Sequence, residues 1–299
     1  MLNVAHNTLY VLIRIAFALV FLLVLFHNNS LFCELLLANS IVTCAFQFYT
    51  SRRKIMALYT IADLHLSTHD TTDKSMEVFG SRWLGYTQKL KNNWTRLVAE
   101  DDTVVIPGDI SWALSLDEAR EDLLFINSLP GKKILSKGNH DFWWSTMRKH
   151  EQFLEKIGVK SISFLFNNAH YADGFIIAGS RGWYYDDEAN GVPENTDFEK
   201  IINREVGRLR TSLTAARALK ADYPDAEIIS FMHFPPVFNG RAVDEFVDTL
   251  LEFGVRRLYF GHIHGLYSIE PSFEYRGIKM SIISADYLNF TPKHIPKSP

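Results

Sequence analysis

The stretch ALYTIADLHLS, residues 57–67, joins an apolar run to two residues of metal-binding type. The run over 57–62 is short and contains β-branched and aromatic residues, which predicts a buried strand. Asp63 and His65 follow it, and an extended backbone would point side chains two residues apart to one face. Carboxylate and imidazole together suit divalent ions such as manganese, iron, cobalt and zinc. The stretch therefore predicts a strand that ends in two candidate metal ligands.

Four further polar clusters occur along the chain, and nearly all of them follow a short β-rich run. They are Gly108-Asp109, Gly138-Asn139-His140-Asp141, His233 and Gly261-His262-Ile263-His264. The predicted strands are Ala57–Ala62, Thr103–Pro107, Lys133–Ser136, Ser161–Phe166, Phe175–Ala178, Ile228–Met232, Arg257–Phe260 and Lys279–Ile283. Loops at the carboxyl ends of strands in an α/β sheet converge on ligand sites. Clusters that are far apart in sequence are therefore expected to meet.

Helical patterns lie between these strands. Ser115 and Glu118 form a capping box that predicts a helix toward Leu129. Amphipathic helices are predicted over Leu213–Lys220 and Asp244–Phe253. Strands that alternate with helices along the chain predict an α/β fold.

The five clusters together offer seven candidate metal ligands. These are Asp63, His65, Asp109, Asn139, His233, His262 and His264. Seven donors are too many for one tetrahedral ion. They fit two ions that share a bridging carboxylate, an arrangement that hydrolyses phosphate esters.

Each cluster taken alone also has a purely structural interpretation. Asp63 could end a strand and cap a turn, and Asp109 could form an Asx-turn with Ser111. Asn139 could be a helix N-cap, and His233 could be a core histidine bonded to the backbone. These interpretations would have to hold at every strand end at once, which favours one shared metal site.

The ordered series of clusters resembles the calcineurin-like metallophosphoesterases, whose pattern is D-x-H, G-D, G-N-H-[DE], a single His and G-H-x-H. Every block is present in the family's order, over about residues 57–290. The resemblance implies the metallo-dependent phosphatase fold, a four-layer αββα sandwich of two mixed β-sheets flanked by helices. It also implies a metal-dependent phosphoric ester hydrolase that acts on a phosphomonoester or a phosphodiester.

The resemblance assigns a role to each matching residue. One divalent ion would be held by Asp63, His65 and His264, and the other by Asn139, His233 and His262. Asp109 would bridge the two ions, which could be manganese, iron, zinc or cobalt. A metal-bridging hydroxide would attack phosphorus in line. His140 would stabilise charge or protonate the leaving oxygen, and we assign Asp141 to orienting an imidazole.

Departures from the family's sequence pattern argue against two of its subfamilies. Protein Ser/Thr phosphatases continue the G-D block with an Asp-Arg pair, whereas Asp109 is followed by Ile110-Ser111-Trp112. Trp112 also occupies the position of the metal-binding tyrosine of purple acid phosphatases. The remaining resemblance is to bacterial-type stand-alone phosphohydrolases.

Two other classes of protein fit the motifs less well. A non-catalytic metal-binding interaction module on the same fold should have lost ligands or His140, and none is missing here. An amidohydrolase would begin with H-x-H, which in this chain comes last.

Charge and hydropathy divide the chain at about residue 56. Residues 1–55 carry four basic residues and one acidic residue, and the whole chain carries −3, so residues 56–299 carry −6. The negative net charge of residues 56–299 disfavours binding to the phosphates of nucleic acid. We expect a small phosphorylated substrate and no specific nucleic-acid binding.

The N-terminal extension, residues 1–55, contains two apolar runs, Leu9–Phe26 and Leu31–Tyr49. It could be a membrane anchor, a cleaved signal peptide, for which no clear cleavage site is present, or the product of a start assigned too far upstream. We favour the last, because a strand and the first metal motif follow Met56 directly. We therefore expect a metallophosphoesterase domain over 56–299 and a cytoplasmic protein. The alternative is a membrane anchor through residues 1–55 alone, with the catalytic domain on the cytoplasmic side.

Aromatic and basic residues near the clusters have two interpretations. The aromatic residues are Trp112, Phe142, Trp143, Trp144, Trp183, Tyr184 and Tyr185. Packing under the loops is favoured over a wall that contacts substrate. Arg181 and Arg241 could bind a substrate phosphate, although a surface position is the simpler expectation.

Overall fold

The computed structural model describes residues 56–68, 74–184 and 197–297. In chain order its strands are β1 (Leu58–Thr60), β2 (Thr103–Pro107), β3 (Lys132–Ser136), β4 (Ile162–Phe164), β5 (His170–Ala172), β6 (Phe175–Ser180), β7 (Glu227–Met232), β8 (Val237–Phe238), β9 (Arg241–Ala242), β10 (Arg257–Phe260), β11 (Ser272–Tyr275), β12 (Ile278–Ile282) and β13 (Lys293–Ile295). The α-helices are α1 (Tyr86–Leu97), α2 (Arg120–Ser128), α3 (Met147–Lys156), α4 (Phe198–Leu219) and α5 (Asp244–Glu252). Two short 3-10 helices, Met76–Phe79 and Ser81–Trp83, precede α1.

Both large sheets are mixed. The first has the strand order β13-β1-β2-β3-β4, in which only β13 runs antiparallel to its neighbour. The second has the order β11-β12-β10-β7-β6-β5, with antiparallel strands at both edges. A separate hairpin pairs β8 with β9. Antiparallel edges on an otherwise parallel sheet are common in large α/β and α+β folds.

Alternating side chains along the central strands produce the layers. In β2, Val104 and Ile106 pack against the helices of the first sheet, whereas Val105 points to the second sheet. In β10, Leu258 faces the helices of the second sheet and Tyr259 faces the first. A period of two places neighbouring side chains on opposite faces, so these strands are apolar on both faces.

Three hydrophobic layers result from this alternation. Helices α1, α2 and α3 cover the first sheet, and helices α4 and α5 cover the second. The third layer lies between the sheets, where Phe231 and Tyr259 stack with ring centroids 5.3 Å apart. The fold is the predicted four-layer αββα sandwich of two mixed sheets.

The eight predicted strands are all present, and two of them, β2 and β10, match residue for residue. The predicted helix toward Leu129 begins at Arg120 rather than at the capping box, although the amide of Glu118 does donate to the hydroxyl of Ser115. Helix α4 begins fifteen residues before the predicted Leu213. The sequence patterns do not predict helices α1 and α3 or the edge strands β5, β11 and β13. Helices α1 and α3 do bury one face, but each has only three buried residues among many polar ones. The edge strands are short and partly exposed, so their alternation is weak.

The proposed membrane anchor falls on residues 1–55, which lie outside the described residues. Within the described ranges, no helix is long and apolar enough to cross a membrane.

Lys133 is a buried lysine at the junction between α2 and β3. Its side chain is 1% exposed. The ammonium donates to the carbonyl oxygens of Asn127, Leu129 and Gly131 and to the hydroxyl of Ser161. Two of these carbonyls belong to the C-terminal end of α2, where a cation is favourable.

Replacing Lys133 should destabilise the protein. Lys133→Met keeps the apolar stem but leaves several buried carbonyl groups without a donor, which we expect to cost about 3 kcal/mol of unfolding free energy. Chemical denaturation measures this change. The neighbouring Lys132→Met is the control, because Lys132 is exposed; equal effects of the two substitutions would contradict the role given to Lys133.

Candidate metal centre

The loops that follow β1 and β2 run side by side at one edge of the sandwich. The amide of Asp63 donates to the carbonyl of Gly108 at 3.0 Å, and the amide of His65 donates to the carbonyl of Asp109 at 2.9 Å. The end of β1 also reaches the second sheet, because Ala62 forms a parallel bridge with Ser284 just after β12. These backbone bonds bring the carboxyl ends of both sheets together, so that residues from distant motifs meet there.

Four of the candidate ligands have left-handed backbone conformations. The φ angles are 60° at Asp63, 45° at His65, 51° at Asp109 and 69° at His262. The expectation that Asp63 and His65 extend a strand is therefore wrong, because β1 ends at Thr60. Left-handed conformations are unfavourable for residues other than glycine and cluster at functional sites, where the surrounding structure holds them.

Two glycines are required by the close packing of these loops. A Cβ atom on Gly138 would lie 2.1 Å from Oδ1 of Asp109, and one on Gly261 would lie 2.6 Å from Oδ2 of Asp63. Any side chain at either position would displace a carboxylate of the site.

The first group of candidate ligands is Asp63, His65 and His264. Nε2 of His65 lies 3.1 Å from Nε2 of His264, and Nε2 of His264 lies 3.8 Å from Oδ1 of Asp63. The ligand atoms of all three residues lie within 4.8 Å of one another. The backbone amide of His262 donates to both oxygens of Asp63, which fixes the carboxylate.

The second group contains Asp109, His233 and His262, together with Asn139. Oδ1 of Asn139 lies 2.6 Å from Nε2 of His233 and 3.1 Å from Nδ1 of His262. Asn139 precedes no helix, since α3 begins at Met147 with Thr146 as its N-cap, so the N-cap interpretation is excluded. His233 does contact the backbone, with Nδ1 3.3 Å from the carbonyl of Pro107, which leaves Nε2 directed at the site.

Asp109 lies between the two groups. Its Oδ2 is 3.7 Å from Nε2 of His65 in the first group and 3.4 Å from Nε2 of His233 in the second. Its Oδ1 accepts a hydrogen bond from the amide of His140 at 2.8 Å. Oδ2 of Asp109 therefore faces the Nε2 atom of one histidine from each group. Asp63 also approaches the second group, but its Oδ1 lies 3.5 Å from Nδ1 of His233, the nitrogen that faces a backbone carbonyl.

Burial sets the protonation of these groups. It lowers the pKa of His65 and of His233 well below the usual value and lowers the pKa of His262 to about 3. It also raises the pKa of Asp63 to about 6. For Asp109, burial and the charges of Asp141 and Asp63 raise the pKa well above its usual range. Neutral imidazoles can donate a lone pair to a metal ion, and a bound cation would favour the ionised form of the buried carboxylates.

The donor set fits divalent metal ions. Two ligand atoms that bind one ion at about 2.1 Å lie roughly 3.0–3.4 Å apart at octahedral or tetrahedral angles. The spacings between His65 and His264, between His233 and Asp109, and between His262 and Asn139 fall in this range. Imidazole, carboxylate and amide oxygen are the ligands of borderline and hard divalent ions.

Comparisons with known proteins agree with this chemistry. A family model described as calcineurin-like phosphoesterase matches residues 56–266. The chain belongs to the calcineurin-like phosphoesterase family. A search of curated proteins finds no match.

The matches among solved structures include three proteins of low sequence identity. A protein of unknown function from Aquifex aeolicus is 17% identical with a TM-score of 0.40, covering 80% of this chain and 95% of its own. A phosphopantetheinyl hydrolase from Mycobacterium tuberculosis is 16% identical with a TM-score of 0.45, covering 81% and 96%. A protein from Thermus thermophilus is 10% identical with a TM-score of 0.47, covering 81% and 99%.

In this calcineurin-like phosphoesterase, Asp286 supports a histidine that the sequence predicts as a ligand. Its Oδ1 lies 2.9 Å from Nδ1 of His264, and its Oδ2 accepts from the amide of Gly265 at 3.0 Å. Burial alone would lower the pKa of His264, but the charges of Asp63 and Asp286 and the hydrogen bond to Asp286 raise it. Sequence reasoning missed Asp286, although it follows the predicted strand over 279–283 as the other clusters follow theirs.

Asp141 does not orient an imidazole, which corrects the prediction for that residue. Its Oδ1 accepts from the amides of Ile110 and Ser111 and from the indole of Trp143, and its Oδ2 accepts from the amide of Gly138. The carboxylate joins the loops that carry Asp109 and Asn139. It acts on the site by holding two loops together.

His140 lies at the edge of the site against an aromatic wall. Its ring centroid is 4.4 Å from that of Trp112 and 5.7 Å from that of His65. Tyr184 also contacts the site, with its hydroxyl 3.1 Å from Nε2 of His262. Trp143 is buried, which confirms the packing interpretation for that residue. Trp112 and Tyr184 contact histidines of the site, and contact of these rings with substrate stays a prediction.

The two arginines suggested as phosphate ligands have different positions. Arg181 turns toward the buried carboxylate of Glu205, with its Nη2 3.2 Å from Oε1. Arg241 begins the short strand β9 and is exposed. Tyr185 lies outside the described residues.

Metal affinity should depend on pH through Asp63. Its pKa of about 6 lies above the usual value, so below that pH the carboxyl binds a proton that a metal ion must displace. We expect the affinity for Mn²⁺ to fall by at least about tenfold per pH unit as the pH drops below about 6, because Asp109, whose pKa is also raised, adds a second competing proton. Titration calorimetry from about pH 8 to about pH 5 measures this. An affinity that stays constant across this range would contradict the assignment.

Removing the carboxylate behind His264 should weaken metal binding. Asp286→Asn changes the partner that orients the His264 ring, and we expect a loss of about 10–100-fold in Mn²⁺ affinity. The control is Asp248→Asn on the surface of α5, where Asp248 pairs with Arg276. Equal Mn²⁺ affinity of the Asp286→Asn and Asp248→Asn proteins would show that Asp286 does not position the ligand.

Proposed function

We propose that this protein is a phosphoesterase that uses two divalent metal ions to hydrolyse a phosphomonoester or a phosphodiester. The observation that carries the proposal is the position of Asp109, whose Oδ2 faces His65 at 3.7 Å and His233 at 3.4 Å. A carboxylate between the neutral imidazoles of His65 and His233 is the arrangement expected for a bridging ligand. Family membership supports the same reaction class.

Each group of side chains would hold one ion. The proposed ligands of the first ion are Asp63, His65 and His264, and those of the second are Asn139, His233 and His262. When bound, two such ions supply Lewis acidity and an activated hydroxide for in-line attack on phosphorus. Manganese, iron, zinc and cobalt all suit this mixture of nitrogen and oxygen donors.

His140 is the proposed catalytic residue beside the metal ligands. Its backbone amide is held by Asp109 at 2.8 Å, and its ring rests against Trp112. Burial, with a further contribution from Lys74, lowers the pKa of His140 to about 4. The neutral imidazole would donate a hydrogen bond to a phosphoryl or leaving oxygen.

The proposed substrate is a small phosphorylated molecule. Residues 56–299 carry a net charge of −6, which disfavours binding to nucleic acid through phosphates alone. The competing proposal is a non-catalytic metal-binding module on the same fold. The complete donor set and the presence of His140 favour the enzyme.

The enzyme proposal is tested by assaying the full chain with Mn²⁺ on phenyl phosphate and on bis(4-nitrophenyl) phosphate. We expect hydrolysis of at least one ester, which Asp109→Ala lowers by about 10³-fold or more because the shared ligand is lost. His140→Ala should lower kcat by about 10²-fold while the bound metal content stays the same.

Asp117→Ala, an exposed substitution before α2, is the matched control. Absence of hydrolysis with every divalent metal tried, in a protein that binds the metals, would favour the non-catalytic module. Full activity in Asp109→Ala would overturn the assignment of the bridging ligand.

A further inference from the structure

A small pocket lies beside the candidate metal centre, over the ends of β3, β4 and β6. The charged and hydroxyl side chains of its lining are those of Ser136, Lys137, Ser180, Arg181, Glu205 and Arg208. The cavity has a volume of about 20 Å³, which is roughly the space of one water molecule. None of these six side chains belongs to the proposed metal ligands.

The pocket contains more positive charge than its one carboxylate can balance. Glu205 is fully buried on α4, and its Oε1 lies 2.6 Å from Arg208, 3.2 Å from Arg181 and 3.8 Å from Arg204. Lys137 is the third cation of the pocket lining, which includes Arg181 and Arg208 but not Arg204. One carboxylate neutralises one of these charges, so the lining carries an excess of about two positive charges.

Several buried polar atoms around the pocket have no hydrogen-bond partner among the described residues. They are Nε of Arg181, Oγ of Ser136, Oγ of Ser180 and Oε2 of Glu205. Three of the four can donate a hydrogen bond. Unsatisfied buried donors are costly, and donors that share one cavity can all be satisfied by a single anion with several oxygens.

Aromatic rings brace two of the guanidinium groups. Arg181 lies over the ring of Trp183 at 4.7 Å, and Arg208 lies over the ring of Phe166 at 5.1 Å. A guanidinium held in place loses less entropy when it binds an oxyanion. Arg181, the more buried of the two, is therefore held in place before any ligand arrives.

The backbone connects this pocket directly to the metal centre. The carbonyl of Arg181 accepts from the amides of His233 and Phe234 at 3.1 and 2.9 Å. Strands β6 and β7 are neighbours, so one strand spacing of about 4.8 Å separates these segments. On the other side, Lys137 precedes the ligand Asn139 by two residues.

We propose that the pocket binds a phosphate group, and that this group is a second anionic group of the substrate. The inference rests on the proposed function, because it requires a phosphoester at the neighbouring metal centre. The substrate would carry two anionic groups, because the pocket and the metal centre lie at the ends of the neighbouring strands β6 and β7. Arginine is the side chain best suited to bind a phosphate through paired hydrogen bonds.

Glu205 would act as a competitor for the same cations. The cavity is too small for a phosphate while Arg208 remains on Glu205, so the anion must take over this contact. Arg208 is the lining arginine that solvent reaches most easily, with 32% of its side chain exposed against 15% for Arg181. Removing the charge of Glu205 should therefore strengthen anion binding, whereas removing Arg208 should weaken it.

The first experiment measures the binding of inorganic phosphate to the full chain in the presence of a chelator, by titration calorimetry. Chelation removes phosphate binding at the metal centre, so the result does not depend on hydrolysis. We expect saturable binding that Arg208→Gln weakens by about tenfold and that Glu205→Gln tightens. Arg210→Gln is the matched control, because Arg210 lies on the same helix but pairs with Glu252 at the surface.

Two outcomes of this titration would overturn the proposal that the pocket binds phosphate. One is the absence of saturable binding by the wild-type protein, and the other is equal binding by the Arg208→Gln and Arg210→Gln proteins. Circular dichroism of each variant checks that it is folded. An arginine cluster that only braces α4 would lower the melting temperature of both the Arg208→Gln and Glu205→Gln proteins without opposite effects on phosphate binding.

The second experiment identifies the source of the phosphate. With Mn²⁺ bound, KM is measured for phenyl phosphate and for adenosine 3′,5′-bisphosphate, which carries a second phosphate. We expect Arg208→Gln to raise KM for the bisphosphate more than KM for phenyl phosphate, whereas Arg210→Gln should leave both values unchanged. Unchanged KM for both substrates would overturn the substrate assignment and indicate a site for free phosphate. Absence of all hydrolysis would count against the proposed function. The metal-free titration would still show whether the pocket binds phosphate.

Discussion

Two buried carboxylates at one edge of the sandwich constrain the rest of this structure. Asp63 is fully buried and Asp109 is almost so, and both face imidazoles rather than solvent. Moving an ionised carboxylate out of water is costly unless charge and hydrogen bonds compensate. The fold must therefore bring compensating groups to this edge, and most features of the site can be understood from that requirement.

The compensation within the chain comes largely from backbone amides. The amide of His262 donates to Asp63, and the amide of His140 donates to Asp109. Such contacts need loops that pass very close to the carboxylates, which explains why Gly138 and Gly261 have no room for a side chain. The same closeness accompanies left-handed conformations at the candidate ligands Asp63, His65 and Asp109, and the paired loops after β1 and β2 hold these residues there. The unfavourable charge that remains is the basis for expecting bound cations.

Most of the architecture could be predicted from local sequence. Central strands such as β2 and β10 are continuous apolar runs because both faces are buried, and such runs are easy to recognise. Helices α1 and α3 were not predicted, because each contains only three buried residues among many polar ones. Edge strands such as β11 and β13 are only half buried, so their pattern is weaker still. The same limit applies to Asp286, whose importance follows from its contact with His264 and from no motif.

The sequence by itself determined the order of the polar clusters and the identity of the candidate ligands, because the chemistry of metal binding restricts which residue types can serve. It also determined the α/β class through the alternation of apolar runs and helical patterns. Only the tertiary structure decided the backbone conformation of Asp63 and His65, the role of Asp141 between two loops, and the grouping of arginines around Glu205. These features depend on contacts between segments far apart in the chain, and neither periodicity nor spacing within one segment contains information about such contacts.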